Sequence, residues 1–251
     1  ASLLEGEHPH TRSPNIFART RPNLLYNAML HPLIPMACRG MIYYQGEANT
    51  LGKYSGMVQY GETQPLWLKC LRKKWKRDDF YFLNIMLPSY WKTYKPSSST
   101  TPLEDPNAHS WAVMRESQSQ ILKLHYTDLV NTIDLGQERP RNIHPKDKMP
   151  IGQRLALLAR RNIYGEKKLL ASGPRFAKAQ IQNNEVTINF TDASGLKTKD
   201  NKSPRGFWVS RDGEIWSPVK SRIENESVIL ETFFDQPMYI RYAYSAVPKV
   251  N

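Results

Sequence analysis

Hydrophobic positions follow two different periods along this chain, and the change comes near Gly173-Pro174. Before that point, short apolar runs alternate with stretches of helical spacing. Met41-Ile42-Tyr43-Tyr44, with Ala37 and Cys38 leading in, reads as a buried strand over 37–44. The bulk of Ile42, Tyr43 and Tyr44 favours strand over helix. Phe80 to Leu87 is the second such run, closed by Pro88, and Leu129 to Gly136 is the third. Between the first two, Thr63 reads as an N-cap with Pro65 in the first turn. Trp67, Leu68, Leu71 and Trp75 then share one helical face. The glycines at 52, 56 and 61 argue against regular helix before Thr63. A second helix starts at Asn107 or Ser110 and carries Trp111, Met114, Gln118, Ile121 and Leu122 at helical spacing. A third runs from Met149 to Ile163, with Pro150 in its first turn. Strand and helix alternating in this way predict an α/β domain with a parallel sheet.

Beyond Gly173-Pro174 the period is two. Val186 to Phe190, Gly206 to Ser210, Val228 to Leu230 and Met238 to Tyr244 read as short strands, with a hairpin-type Asp212-Gly213 turn. They predict a small antiparallel, sandwich-like β domain. The expected division is a linker and lead-in segment over 1–36, an α/β domain over 37–172 and the β domain over 173–251.

Composition narrows the function classes. Hydrophobic content of 40% and charged content of 23% fit a globular protein, and no apolar run approaches a membrane span. The net charge of +12 admits nucleic acid as a partner. The positive residues are scattered, however, and the densest group, Lys69 to Arg77, is interleaved with Trp67, Leu71 and Trp75 at helical spacing. That is the polar face of an amphipathic helix, so no nucleic-acid partner is expected. Cys38 and Cys70 read as ordinary buried thiols, and neither a zinc site nor a disulfide framework is signalled. No cofactor is expected.

Two stretches carry candidate chemistry. Gln45-Gly46-Glu47-Ala48-Asn49 follows the first strand directly, at the end where open parallel sheets bind ligands. Taken alone it reads more simply as a glycine turn with solvated polar residues. His144 follows the third strand in Ile143-His144-Pro145. A lone histidine in a loop is ordinarily a solvated side chain. The long loop over 88–107 holds Tyr90, Trp91 and Tyr94, aromatics that either stack on a sugar ring or anchor the loop.

The motifs then fall into a pattern. Arg21 to Met29, Tyr43 to Asn49, Trp111 to Gln118, Ile133 to Gly136, Asn142 to Lys148 and Gly152 to Ala156, in this order and spacing, resemble the sialate O-acetylesterases of the SGNH hydrolase superfamily. The tail from Ser172 to Tyr244 is similar to the β domain that follows in that family. The resemblance implies an SGNH-like parallel sheet flanked by helices, with its first strands lying before residue 1. It implies carbohydrate O-acetylesterase activity, with an O-acetylated sugar such as sialic acid as substrate. His144 matches the family histidine and would act as general base. Gln45, Gly46 and Asn49 sit in the block that resembles the family's third, where a side-chain amide donates to the oxyanion. Glu47 would order the loop, and Arg115, with Glu116 and Gln118, would brace the site from below.

Two features depart from the family. No serine lies in a Gly-Gln-Ser-Asn setting: Ser13 precedes proline, Ser55 lies between Tyr54 and Gly56, and Ser89 follows Pro88. The nucleophile is therefore expected on an N-terminal segment or chain outside this one. The positions just before the histidine are Arg141 and Asn142, not an acid. Asp134 and Glu138 are nearby, but spacing singles out neither. The sequons at Asn189, Asn201 and Asn225 fit a glycosylated secreted, extracellular or lysosomal protein, or mean nothing in a bacterium, where the location would be periplasmic. The competing reading is a catalytically dead, esterase-like module that binds carbohydrate through Trp91, Trp208 or Trp216.

Overall fold

A computed structural model describes residues 23–51, 54–90, 110–137, 142–232 and 239–251. Trp91 and Tyr94 of the long loop, Glu138, Arg141, and the first 22 residues of the lead-in lie outside the described residues. Strands β1 (Gly40–Tyr43), β2 (Tyr81–Ile85) and β3 (Thr127–Val130) form a parallel sheet in the order β1-β2-β3. Helix α1 (Tyr54–Trp75) connects the first pair and α2 (Ser110–Ser119) the second, while α3 (Met149–Asn162) follows β3. This is the expected α/β arrangement.

Strand β2 is central and buried on both faces. Phe82 joins Leu68, Leu71, Trp75, Phe80 and Ile121 on one side. Leu83 and Ile85 join Val130, Ile151 and Leu158 on the other. Asn84 turns toward α1, where its amide and that of Gln64 exchange hydrogen bonds at 3.2 and 3.3 Å. A buried amide pair of this kind leaves neither side chain unsatisfied. Gly40 is required by the sheet itself, because a Cβ there would lie 2.0 Å from the Tyr81 carbonyl oxygen.

Three elements differ from the sequence reading. Helix α1 begins at Tyr54, not Thr63, and carries Pro65 in its interior. Met57 and Tyr60 fall on the same buried face as Leu68 and Leu71. Their burial outweighs the helix cost of Gly56 and Gly61, about 1 kcal/mol each. Gly61 also brings α1 close to α2, since a Cβ there would meet Gln120 Cγ at 2.9 Å and the Ser117 carbonyl at 3.3 Å. Strand β3 stops at Val130, not Gly136. Asn131 Oδ1 accepts from the Ile133 amide at 3.0 Å, which turns the chain, and Thr132 Oγ1 donates to the Met86 carbonyl. Cys70 is exposed on the outer face of α1, and only Cys38 is partly buried.

The β unit holds two antiparallel sheets. One has the order β4-β5-β9-β8, from β4 (Arg175–Gln182), β5 (Glu185–Thr191), β8 (Lys220–Glu224) and β9 (Ser227–Glu231). The other is β10-β6-β7, from β6 (Phe207–Ser210), β7 (Ser217–Pro218) and β10 (Tyr239–Tyr242). Val186, Ile188, Phe207, Val209, Val228 and Leu230 pack together between them. Asn201 and Asn225 lie exposed at turns, whereas Asn189 is half-buried in β5.

Asp128 fastens this unit to the parallel sheet. Its buried carboxylate accepts from Tyr81 Oη at 2.6 Å, Asn162 Nδ2 at 2.6 Å and Arg175 Nη2 at 3.0 Å, so β2, β3, α3 and β4 meet on one group. The C-terminal segment returns to the α/β unit, where the Ala246 carbonyl accepts from the Tyr90 amide at 3.2 Å. Asp128→Asn removes the charge that Arg175 pairs with and sets an amide N–H against donors. The expected cost is about 2 kcal/mol in urea unfolding. An unchanged midpoint would remove Asp128 as the fastening group.

Candidate active site

The chain leaves β1 at Tyr44 and turns through Gly46, whose φ of +148° and tight surroundings exclude a side chain. A Cβ there would lie 2.9 Å from Met114 Cε and 3.2 Å from Gln118 Nε2. A single turn of 3-10 helix over Glu47–Leu51 follows. It brings Asn49 back over Gln45, and Gln45 Nε2 donates to Asn49 Oδ1 at 3.0 Å. Gln45 Oε1 accepts from Tyr60 Oη at 3.0 Å and from Tyr43 Oη at 3.3 Å. From α2, Gln118 Nε2 donates to the Gln45 carbonyl at 3.0 Å and to the Ile85 carbonyl at 3.3 Å, while its Oε1 accepts from the Leu87 amide at 2.9 Å. One buried glutamine thus ties the C-terminal ends of β1 and β2 together.

The histidine segment is seated on the same support. Ile143 packs on Tyr60, Leu87, Trp111 and Met114, beside Tyr44 and Tyr90. Pro145 is buried against Gly136. Lys148 Nζ donates to the Pro145 carbonyl at 2.6 Å and lies 5.8 Å from the centre of the Tyr44 ring. The Asn142 side chain accepts from the His144 amide at 2.9 Å. The His144 imidazole is exposed and takes no hydrogen-bond partner among the described residues. Gln45, Gly46, Asn49 and the His144 segment are therefore gathered around one apolar cluster at the sheet's C-terminal end.

Among the described residues, Asp134 and Asp147 are engaged elsewhere. Asp134 makes a two-pronged ion pair with Arg154, at 2.8 and 2.7 Å, and lies 3.6 Å from Lys199. Burial pushes its carboxyl up, and the hydrogen bonds and charge of Arg154 more than reverse this, leaving it below the usual range. Asp147 accepts from the Met149 amide at 2.9 Å, at the start of α3. Glu47 is half-buried, and its charge adds to burial in pushing the Tyr44 phenol up to about 12.

Arg115 makes no hydrogen bond to the Gln45 loop among the described residues. It is buried at 3% exposure and donates to the Ser245 carbonyl and, at 3.5 Å, to that of Pro88. Burial lowers its guanidinium to about 9, which still leaves it charged at neutral pH. Its work is to hold the C-terminal segment against the turn that follows β2. The residue the sequence reading missed is Tyr60. It lies in the stretch whose glycines argued against helix, and its burial at helical spacing with Met57 and Gln64 was the available signal.

The chain is similar to sialate O-acetylesterases and to a carbohydrate acetylesterase of known structure. The sialate O-acetylesterase of Mus musculus is 27% identical over 247 residues, 94% of this chain and 45% of the relative. That of Homo sapiens is 27% identical over 243 residues, 91% of this chain and 45% of the relative. A crystal structure of a carbohydrate acetylesterase from Xanthomonas citri superposes with a TM-score of 0.78 at 31% identity, covering 91% of this chain and 50% of that one. The likeness to carbohydrate acetylesterases is a distant one, at 27–31% identity. It spans about half the length of the relatives it matches. No family model matches it. The parallel sheet with its flanking helices and following antiparallel β unit is SGNH-like.

Proposed function

We propose that this chain is the histidine-bearing part of a carbohydrate O-acetylesterase, with O-acetylated sialic acid as first substrate. The observation that carries the reading is the shared seat of two loops. Gly46 and Ile143 both rest on the cluster that holds Leu87 and Met114. That seating puts an amide donor and an exposed imidazole at the same end of the sheet. Similarity to sialate O-acetylesterases over nearly the whole chain supports the substrate class.

In this reading a serine hydroxyl from a segment outside this chain attacks the acetyl carbonyl, and its proton passes to the His144 imidazole. The carbonyl π pair moves onto oxygen, where the Gln45 amide N–H stabilises it. Collapse breaks the bond to the sugar oxygen, which takes the proton back from His144. Water then attacks the acetyl-serine by the same route and releases acetate. The exposed imidazole is oriented either by a backbone carbonyl or by a group on the completing segment.

The edge of β1 supports such a segment. Among the described residues β1 pairs only with β2. Ile42 on that strand is 60% exposed, with Met36 and Met29 also exposed nearby in sequence. Apolar strand edges, even short ones such as β1, are usually paired or covered. The isolated chain should therefore bind a hydrophobic dye and self-associate, and the serine-bearing segment should abolish both. A monodisperse, cooperatively folding chain with low dye binding would count against the segment.

The activity test is acetate release by the assembled protein from O-acetylated sialic acid and from other O-acetylated sugars. Release from the first supports the reading, and release only from the others moves the substrate. Sugar binding without any release would establish the inactive carbohydrate-binding module instead.

A further inference from the structure

The Gln45 side chain sits in an unusual hydrogen-bonding position. Both acceptor directions of its amide oxygen are taken by phenols, Tyr60 at 3.0 Å and Tyr43 at 3.3 Å. One of its two amide hydrogens is taken by Asn49 Oδ1 at 3.0 Å. The second has no acceptor among the described residues. A side-chain amide is nearly symmetric in shape, so packing alone does not decide which end faces which way. Hydrogen-bond partners decide it.

We propose that Tyr60, assisted by Tyr43, is a positioning residue that fixes the Gln45 amide with its oxygen inward and its remaining N–H toward the reacting carbonyl. The inference rests on the reading of Gln45 as the oxyanion donor. Tyr60 comes from α1, is 7% exposed, and packs with Leu87, Trp111 and Met114. That cluster also seats Ile143, next to His144. The phenol is thus held by the same contacts that place the base. A buried hydroxyl must give its proton to an acceptor or lose the hydrogen bond it had in water. Gln45 Oε1 is the acceptor that both phenols face, and Tyr60 also hydrogen-bonds Tyr43. Burial raises Tyr60 and Tyr43 above the usual phenol range, so both remain protonated donors throughout the neutral and mildly alkaline range.

The same bonds fix Asn49. Its Oδ1 faces Gln45, so its own amide hydrogens point away from Gln45. A Gln45 amide turned end for end would make the phenol oxygens accept from its N–H groups and would leave both hydroxyl protons without the acceptor they now have. Its oxygen would meet Asn49 Oδ1 unless Asn49 turned its own amide as well. The tyrosine pair disfavours that state, in which the oxyanion would meet a lone pair.

The test is a double-mutant cycle in the assembled, serine-containing protein, measured as acetate release. Tyr60→Phe keeps the ring and removes only the hydroxyl. It should lower kcat by about tenfold with KM changed by less than about twofold, a split that loss of packing alone would not give. In a Gln45→Ala background the same change should alter kcat by less than about twofold, because the amide it positions is gone. Tyr43→Phe, at the longer distance, should lower kcat by about threefold and serves if Tyr60→Phe reduces the folded yield. If Gln45→Ala lowers kcat and both phenylalanine variants leave it at the wild-type value, the positioning role is wrong and the oxyanion reading stands. An equal loss from Tyr60→Phe in both backgrounds also overturns it, since Tyr60 would then act without Gln45. If Gln45→Ala itself leaves kcat unchanged, the oxyanion reading fails and takes the positioning role with it.

Discussion

His144→Ala should lower acetate release by about three orders of magnitude in the assembled protein while leaving its stability nearly unchanged. The two halves of that expectation come from different observations. The imidazole is exposed and makes no side-chain hydrogen bond among the described residues, so its removal breaks nothing that holds the fold. Substitutions at such positions usually cost within about 0.5 kcal/mol. The segment is instead held by Ile143 in its apolar cluster, by buried Pro145 and by Asn142 beneath the His144 amide. A base that serves both acylation and deacylation is used twice per turnover, and its loss slows both steps. The measurement is kcat for acetate release beside the thermal midpoint. Near wild-type turnover in His144→Ala would end the mechanism. A large fall in midpoint would show that the histidine holds the loop.

Much of this arrangement is legible from residues alone, and the parts that are not have physical reasons. The alternation of strand and helix over 37–163 carries the parallel sheet, because β2 is buried on both faces and reads as an apolar run interrupted only by Asn84. The β3 boundary is not legible in the same way. Ile133 and Leu135 continue an apolar pattern, yet the bond that Asn131 Oδ1 accepts from the Ile133 amide and the one that Thr132 donates to Met86 have already turned the chain. In α1 the glycines mislead, since Gly61 is a contact point between helices and not a break. Strand β4 escapes the period-two reading because its residues are mostly exposed, although Asn183 and Asn184, at φ of 51° and 62°, mark its hairpin. At the site, Gln45, Gly46 and His144 stand out by their place after strands and by resemblance. Tyr60 does not, because its role exists only once α1 has folded beside the Gln45 loop. Arg115 reads from sequence as site support, and the fold commits it to Ser245 and Pro88.

Gln45→Ala should lower kcat by about a hundredfold with little change in KM. An oxyanion donor acts on charge that develops during reaction, so its loss falls on kcat and spares ground-state binding. A hundredfold corresponds to about 2.7 kcal/mol of transition-state stabilisation. The structure supplies reasons for a loss of this size. The amide does not have to be ordered at the moment of reaction, since Tyr60, Tyr43 and Asn49 already hold it. Its backbone is held too, by Gln118 at the carbonyl and by the close approach of Gly46 to Met114. Alanine keeps those backbone contacts, so the loop stays in place and the loss reports the amide. The two phenols lose their shared acceptor, which should cost about 1–2 kcal/mol of stability. Gln45→Glu separates the two effects. A carboxylate still accepts from both phenols, and Asn49 can turn its own amide to donate to the second oxygen in place of the lost Nε2 bond, but it presents negative charge where the oxyanion would form. Its kcat should fall at least as far as that of alanine while its thermal midpoint stays closer to wild type. If the glutamate variant turns over faster than the alanine variant, Gln45 supports the loop and the oxyanion is stabilised by other donors.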